Sequence, residues 1–310
     1  MALISFLSAA VQAGMPLLFA TVGEIITEKS GNLNLGVEGL MLLGAVAGFQ
    51  VGLITANPFL AVMGALLAGA AGALVFAFLT VTLRANQVVT GLSLTILGTG
   101  VASFTGQSLM GQVVPEGISK FFAAVNIPLL GSIPFIGPVL FQQSIFVYMG
   151  FIVAIAAGVY FYKTRLGLNL RVVGENPAAA DASGINVTLY KYVHIIVGGA
   201  LCALGGAYLS LVYIPSWQEN VTSGRGWIAV ALVIFSMWNP YKAMLSAIFF
   251  GGLDIVGFRI QKFDIAVSQY MIDMLPYIAT IIVLIAVSAK KSKENMAPQS
   301  LGEPYFREDR

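Results

Sequence analysis

Apolar residues in this chain come in long stretches, and the short polar breaks between them set the elements. Residues 39–83, 85–115, 121–162 and 192–218 contain no Asp, Glu, Lys or Arg. A bilayer-crossing helix needs about 20 apolar residues, so the first and third stretches each hold two crossings or a crossing plus a loop. None alternates with period two, which excludes the strands of a β-barrel. Thr55-Ala56-Asn57-Pro58 divides the first stretch. Pro128, Gly131, Pro134, Gly137 and Pro138 make an irregular opening to the third, with a helix from about Gln142. The pattern predicts an all-α, polytopic transmembrane helical bundle of about nine spans (eight to ten): 3–22, 36–53, 59–83, 87–109, 142–162, 192–214, 226–238, 243–258 and 271–289. The seventh and eighth are short, as half-helices that dip and return would be, or a pair buried by neighbours. Residues 1–290 are the expected membrane domain, with an outer loop at 111–141, a second loop at 163–191 and a polar, frayed tail at 291–310.

Positive charge orients the spans, because Lys and Arg gather on the cytoplasmic side. The loop 163–191 holds Lys163, Arg165, Arg171 and Lys191, and the tail opens with Lys290, Lys291 and Lys293. An even number of crossings puts both inside, and four are predicted between them. The same parity puts Lys29, Arg84 and Lys242 inside, and Lys120, Arg225, Arg259 and Lys262 outside. Residues 11–23 are apolar, yet no Lys or Arg precedes Lys29, so the start reads as a retained span rather than a signal peptide. Gly44, Gly48 and Gly52, and Gly198, Gly199, Gly205 and Gly206, predict close helix packing within the chain, with an oligomer interface as the alternative. Ser30-Gly31 and Ser223-Gly224 each precede a return into the membrane.

Composition narrows the function. Charged residues are 10% of the 310 and hydrophobic ones 58%, against about 25% charge in ordinary soluble domains. A soluble enzyme and a disordered chain are both excluded. The net charge of +2 forms no patch for nucleic acid. Cys202 is the only cysteine and His194 the only histidine. An intrachain disulfide, cysteine metal clusters and two-histidine metal motifs are therefore excluded, and His194 reads as a packing or hydrogen-bonding residue. Gly-Lys never occurs, so the phosphate-binding P-loop is absent. Gly224-Arg225-Gly226 lacks the third glycine and the strand of a dinucleotide fingerprint. No catalytic residue, metal or cofactor is expected on this chain.

Polar residues inside lipid are costly and usually face the bundle interior. Asn34 and Glu38 share a helix face if the second helix has begun there. They read as part of an inner gate, or as a helix-start pair satisfying free amides. Asn86, Gln87, Thr90, Ser93 and Thr95 crowd the start of the fourth span. Gln87, Thr90 and Ser93 form a neutral stripe suited to a hydroxyl-rich solute or to helix–helix hydrogen bonds; Ser103 and Gln107 extend it outward. Asp254 and Asp273 are proton sites or, better, helix-end acids paired with Arg259 or Lys262. Trp217, Trp227 and Trp238 fall at span ends, as an aromatic belt does, with ring stacking on a solute as the alternative for Trp217 or Trp227.

The segment Val173-Gly-Glu-Asn-Pro-Ala-Ala-Ala-Asp-Ala-Ser-Gly-Ile185 predicts a short helix outside the lipid. Asn176 suits its N-cap, Pro177 its first turn, Ala178, Ala179 and Ala180 its body and Gly184 its end. Such a helix docks a partner or merely connects two spans. This segment, together with Ser30-Gly-Asn-Leu-Asn-Leu-Gly-Val-Glu-Gly39 and Thr222-Ser-Gly-Arg-Gly-Trp-Ile-Ala-Val-Ala231 followed by Trp238-Asn-Pro240, resembles permease subunits of ATP-binding-cassette importers. The group is that of ribose-type sugars, branched-chain amino acids and nucleosides. The details most resemble nucleoside permeases that work with a lipoprotein of the basic membrane protein family; riboflavin and sugar permeases are the near alternatives, and an ion-coupled transporter the distant one.

That resemblance implies roles. Gly174 to Ile185 would be a coupling helix, with Glu175, Asn176 and Asp181 touching a separate ATPase that binds ATP and Mg. A second permease, a paralogue, would complete the membrane core of a bacterial-type inner-membrane importer. An extracytoplasmic lipoprotein would deliver the solute, and transport would proceed by alternating access. The path candidates are Asn34, Glu38, Asn86, Gln87, Thr90, Ser93, Gln107, Trp217 and Trp227. The loop 163–191 and the tail would be cytoplasmic.

Overall fold

Asparagine and proline start helices where the polar breaks predict them. Asn57 Oδ1 accepts from the amides of Phe59 and Leu60, and Asn86, Ser144 and Asn186 cap three later helices in the same way. The computed structural model describes residues 2–260, 271, 274–289 and 296–307. In chain order these form α1 (Ala2–Glu28), α2 (Val37–Thr55), α3 (Pro58–Ala77, continued by a π-turn at Phe78–Thr82), α4 (Gln87–Gly106) and α5 (Glu116–Phe121). Strands β1 (Ala124–Asn126) and β2 (Gln142–Ser144) follow, then α6 (Ile145–Lys163), α7 (Arg165–Glu175) and α8 (Pro177–Ala182). The last four helices are α9 (Val187–Tyr208, with a π-turn at Leu209–Tyr213), α10 (Arg225–Phe235), α11 (Pro240–Ile260) and α12 (Leu275–Ala289).

Six helical stretches among the described residues are long and apolar enough to cross a membrane: Leu3–Glu28, Val37–Thr55, Pro58–Thr82, Gln87–Leu109, Ile145–Lys163 and Val187–Tyr213. The chain is a polytopic helical membrane protein, and the expected count of nine is not reached on that criterion. The expected seventh span is α10, whose 11 residues reach about 16 Å, half the thickness of a bilayer core. The eighth and ninth correspond to α11 and α12. The fold is also not wholly helical. β1 and β2 pair antiparallel, Ala124 opposite Ser144, which delays the start of α6 from 142 to Ile145.

Helices α1, α2 and α9 form the centre. The glycines predicted to pack do so within the chain: a Cβ on Gly44 would strike the backbone of Ala203, and one on Gly206 the backbone of Met41, so α2 and α9 cross in close contact. At one end of the bundle, the end of α1 meets α7 through Lys29 and Gly174, Arg84 lies 4.5 Å from the Phe306 ring, and Thr82 bonds Tyr192. Lys29, Arg84 and the loop 163–191 therefore share one end, as the charge parity requires. At the other end, Val114 N donates to the Pro215 carbonyl (3.1 Å), Trp217 N to that of Gln112 (3.1 Å), and Val113 bridges Ser216. The frayed tail expected from 291 is corrected for residues 296–307. They are docked, because their small and turn-forming residues offer backbone and hydroxyl donors to the exposed carbonyls of the 31 and 174 turns.

Candidate functional site

Two features stand out, a handle at one end of the bundle and a buried meeting of two broken segments. The handle is built by α7 and α8. Thr164 Oγ1 accepts from Gly167 N (3.0 Å) to start α7, and Gly167, Leu170, Val173 and Gly174 form its buried side. Asn176 closes α7 and opens α8: its Oδ1 accepts from Ala179 N (2.9 Å), and Pro177 takes the first helical position. Gly184, at φ +80, lets the chain turn out of α8. Ala180 is buried against Val173 and Val187, while Glu175, Asn176, Ala178 and Ala179 are exposed. The segment 296–307 straps this handle down. Ser300 donates to the Gly174 carbonyl through both Oγ (2.6 Å) and N (3.1 Å), and Gly302 N donates to Gly31 O (3.2 Å). Tyr305 OH donates to Asp181 (2.9 Å), and Arg307 pairs with the same carboxylate (3.1 Å). Burial holds the Lys29 ammonium below the ordinary lysine range, with Glu175 opposing and Arg171 adding to that shift. Asn176→Ala removes the cap and is expected to cost about 1 kcal/mol of α8 stability; faster amide exchange confined to 177–183 checks it.

The second feature lies deeper. After α1, residues 29–36 turn back beside α4. Leu33 N donates to Gln87 Oε1 (2.7 Å), and Gly36 packs on Leu94, about 10 Å further along α4. Helix α2 thus begins inside the bundle. Residues 214–224 return from the other end: Trp217 stacks obliquely on Phe49 (5.8 Å), and Thr222 reaches Glu38. Phe49 and Glu38 are 11 residues apart on α2, about 16 Å. So α10 also begins inside the bundle, and it leads to Trp238, whose Nε1 donates to Glu28 Oε2 (2.5 Å). The buried Glu38 carboxylate joins the two starts. Its Oε1 accepts from Thr222 Oγ1 (2.6 Å) and Gly224 N (2.8 Å), and its Oε2 from Gly226 N (2.5 Å). A carboxylate at the amide end of α10 satisfies free donors and complements the helix dipole. One turn deeper in α1, Glu24 Oε1 accepts from Asn34 N (3.0 Å). Around it Glu24 Oε2, Asn32 Oδ1, Asn34 Nδ2 and Gln87 Nε2 are buried without a protein partner among the described residues.

Between these features and the far end, a cavity of about 360 Å³ is lined by Ser103, Phe104, Gln107, Trp217 and Glu219. The indole of Trp217 lies directly on Gly106, where any side chain would strike the ring.

Over residues 6–284 the chain matches the family described as branched-chain amino acid transport system / permease component. It belongs to that permease family. The permease is 36% identical over 97% of its length, and 97% of the relative's, to a protein of Haloferax volcanii assigned as the glucose ABC transporter permease protein TsgC13. It is 36% identical to the nucleoside ABC transporter permease protein NupC of Lactococcus lactis (94% of this chain, 93% of the relative). It is 33% identical to the guanosine ABC transporter permease protein NupQ of Bacillus subtilis, with the same coverage. The last two organisms each hold a second, more distant match: NupB (28% over 34% of this chain) and NupP (25% over 88%). Among solved structures, an inward-facing ABC transporter described as of metal-chelate type has a TM-score of 0.52 at 14% identity, covering 92% of this chain and 85% of that one. That likeness concerns the fold alone.

In the permease, Gln107 and Trp217 come together in one cavity, as do Asn34 and Gln87 around the 30–36 turn. Asn34 and Glu38 do not share a helix face, because α2 starts only at Val37 and Asn34 sits in the preceding turn, accepting from Gly36 N (2.8 Å). The stripe on α4 also divides. Six residues of helix turn the chain through about 600°, so Gln87 and Thr90 are buried while Ser93 is exposed and bonds its own helix at Val89 O. Asn86 caps α4, and Thr95 donates to Leu35 O in the turn before α2. Trp217 and Trp238 are buried rather than belt residues, since both indoles are used inside the bundle; Trp227 is 39% exposed at the start of α10. Asp254 pairs with Arg225 (3.3 Å) rather than with Arg259, which reaches Ser5 (2.8 Å) across to α1. Asp273 and Lys262 lie outside the described residues. His194 does pack and bond, Nδ1 donating to Tyr190 O (2.6 Å) and Nε2 accepting from Tyr160 (2.8 Å). Glu24, Glu28, Thr222 and the strap at 296–307 were missed. The spacing of the two glutamates, one helical turn apart in an otherwise apolar span, was the available signal.

Proposed function

We propose that this permease provides half of the translocation path of an ATP-driven nucleoside importer. Family membership makes it a transport subunit; the substrate is argued from relatives and from the cavity. NupC and NupQ, named for nucleoside and guanosine, match along nearly the whole chain. The observation that carries the reading is the cavity where the Trp217 indole lies beside an amide, a hydroxyl and a carboxylate. That set offers stacking to a flat base and hydrogen bonds to its edge and sugar. Glu38 supports it: the amide end of α10, a natural seat for an anion, already holds the protein's own carboxylate, which favours an uncharged solute. TsgC13 keeps glucose as the second reading.

In this reading α8 seats on a separate ATPase, which binds the ATP and Mg. Glu175, Asn176, Ala178 and Ala179 face it, and Asp181 holds the strap. The pairing of NupQ with NupP, and of NupC with NupB, in single organisms supports a paralogous second permease. A binding lipoprotein meets the loop 111–141. The loop 163–191 and the tail are cytoplasmic, and the path passes Gln107 and Trp217 at one end of α4 and Gln87 at the other, with Asn34, Glu38 and Trp227 at its inner half. ATP-driven closure then rocks the two permeases between outward- and inward-open states.

The test is uptake by vesicles holding the full complex. Radiolabelled nucleoside accumulates only with ATP and a functional ATPase. Accumulation of glucose or riboflavin in its place, or uptake that survives loss of the ATPase and collapses with an ionophore, overturns the reading. Trp217→Ala is expected to raise KM for the nucleoside about tenfold, since base–aromatic stacking is worth about 1–3 kcal/mol.

A further inference from the structure

We propose that the cavity enclosed by the end of α3, the start of α9 and the segment 296–307 binds a phosphate group. The cavity measures about 510 Å³, and three cations line it: Arg84, Lys191 and Arg307. One lining carboxylate, Asp181, faces them, and it is already engaged by Tyr305 OH and by Arg307. Lys191 decides the matter. The residue is 3% exposed, and among the described residues its ammonium has no hydrogen bond and no ion pair. An ammonium so nearly buried without a counter-charge is disfavoured, and the one acid in the lining, Asp181, is already engaged by Tyr305 and Arg307.

The local fold adds to the positive potential. Asn186, also in the lining, caps the 22-residue helix α9, so the dipole of that helix and its first free amides point toward the same space. Arginine supplies the forked donors that phosphate oxygens accept. Tyr305 and Thr188 place neutral polar groups beside them. The surroundings fix the level of the site. On α3 and its π-turn, Leu74, Val75 and Phe78 are exposed, and on α9 so are Leu189, Val193 and Val197. The cavity thus sits where apolar, lipid-facing helix surface gives way to the polar end of the bundle. Two sources supply a phosphate there, the headgroup of an anionic phospholipid and a soluble phosphate.

The test uses the intact complex carrying the wild-type chain, Lys191→Met or Arg84→Gln. Each is exposed to spin-labelled phosphatidylglycerol, to spin-labelled phosphatidylcholine and, by calorimetry, to inorganic phosphate. Preferential retention of phosphatidylglycerol, reduced about tenfold in both variants, assigns a lipid headgroup; the loss of one charge-assisted bond is of that order. Saturable phosphate binding without a lipid preference, lost in both variants, assigns a soluble phosphate. Methionine preserves the apolar stem of Lys191, and Arg84 is exposed, so the second variant reads the site even if the first fails to fold. If no probe is bound preferentially by the wild type, or if the variants that fold bind as well as it does, the proposal is wrong.

Discussion

Glu38→Gln is expected to destabilise the permease by about 3–4 kcal/mol and to cut uptake at least tenfold, as the sum of one lost charge-assisted bond and one stranded donor. The carboxylate accepts three hydrogen bonds, two on Oε1 and one on Oε2. Glutamine has the same size but keeps only one acceptor. If its carbonyl serves Thr222 and Gly224, its NH2 faces the Gly226 amide, donor against donor. If it is flipped, the Thr222 hydroxyl turns to accept from the NH2 and the Gly224 amide is stranded instead. The start of α10 also loses the anion that complements its dipole. Thermal unfolding of the purified complex and vesicle uptake measure the two effects. A variant that melts and transports like the wild type would show that Glu38 does not join α2 to α10.

A chain ending at residue 295 is expected to insert and assemble its spans, yet to lose most ATP-driven uptake. The strap contributes five hydrogen bonds onto positions 31, 174, 175 and 181, besides the Arg307 pair and the stacking of Arg84 on Phe306. At about 0.5–1.5 kcal/mol net for each hydrogen bond, their loss releases about 3 kcal/mol of anchoring. That changes the seated fraction of α8 by about a hundredfold at most, so ATP hydrolysis should continue while uptake falls about tenfold. Tyr305→Phe removes one bond and should cost a few-fold at most. Uptake unchanged in the shortened chain would mean that α8 needs no strap.

The membrane character, the six long spans and the cap of α8 were legible in the sequence because each rests on local signals: apolar run length, turn residues and Asn-Pro chemistry. Even α10 was half-read, since its shortness marked it as a helix that fails to cross. What the sequence did not yield are the long-range pairings. That Glu38 reaches Gly224 and Gly226, or Glu28 reaches Trp238, depends on two re-entrant turns meeting, and no local pattern encodes that meeting. The paired Ser-Gly signals at 30 and 223 were its faint trace: Gly31 and Gly224 both adopt positive φ, and each turn leads into a helix that starts inside the bundle. The strap was misread because polar composition near a chain end usually means fraying, while Ser300 and Gly302 bond mainly through backbone groups that composition does not register. The α4 stripe failed for a simpler reason, a three-residue spacing followed too far round a 3.6-residue helix.

The strip joining 112–114 to 215–217 couples the 111–141 loop to the Trp217 cavity through three adjacent backbone contacts. Under the proposed function, a lipoprotein settling on that loop would lean directly on the segment that carries the indole. Docking and unlatching would then be a single mechanical stroke, with no separate signal to announce the cargo.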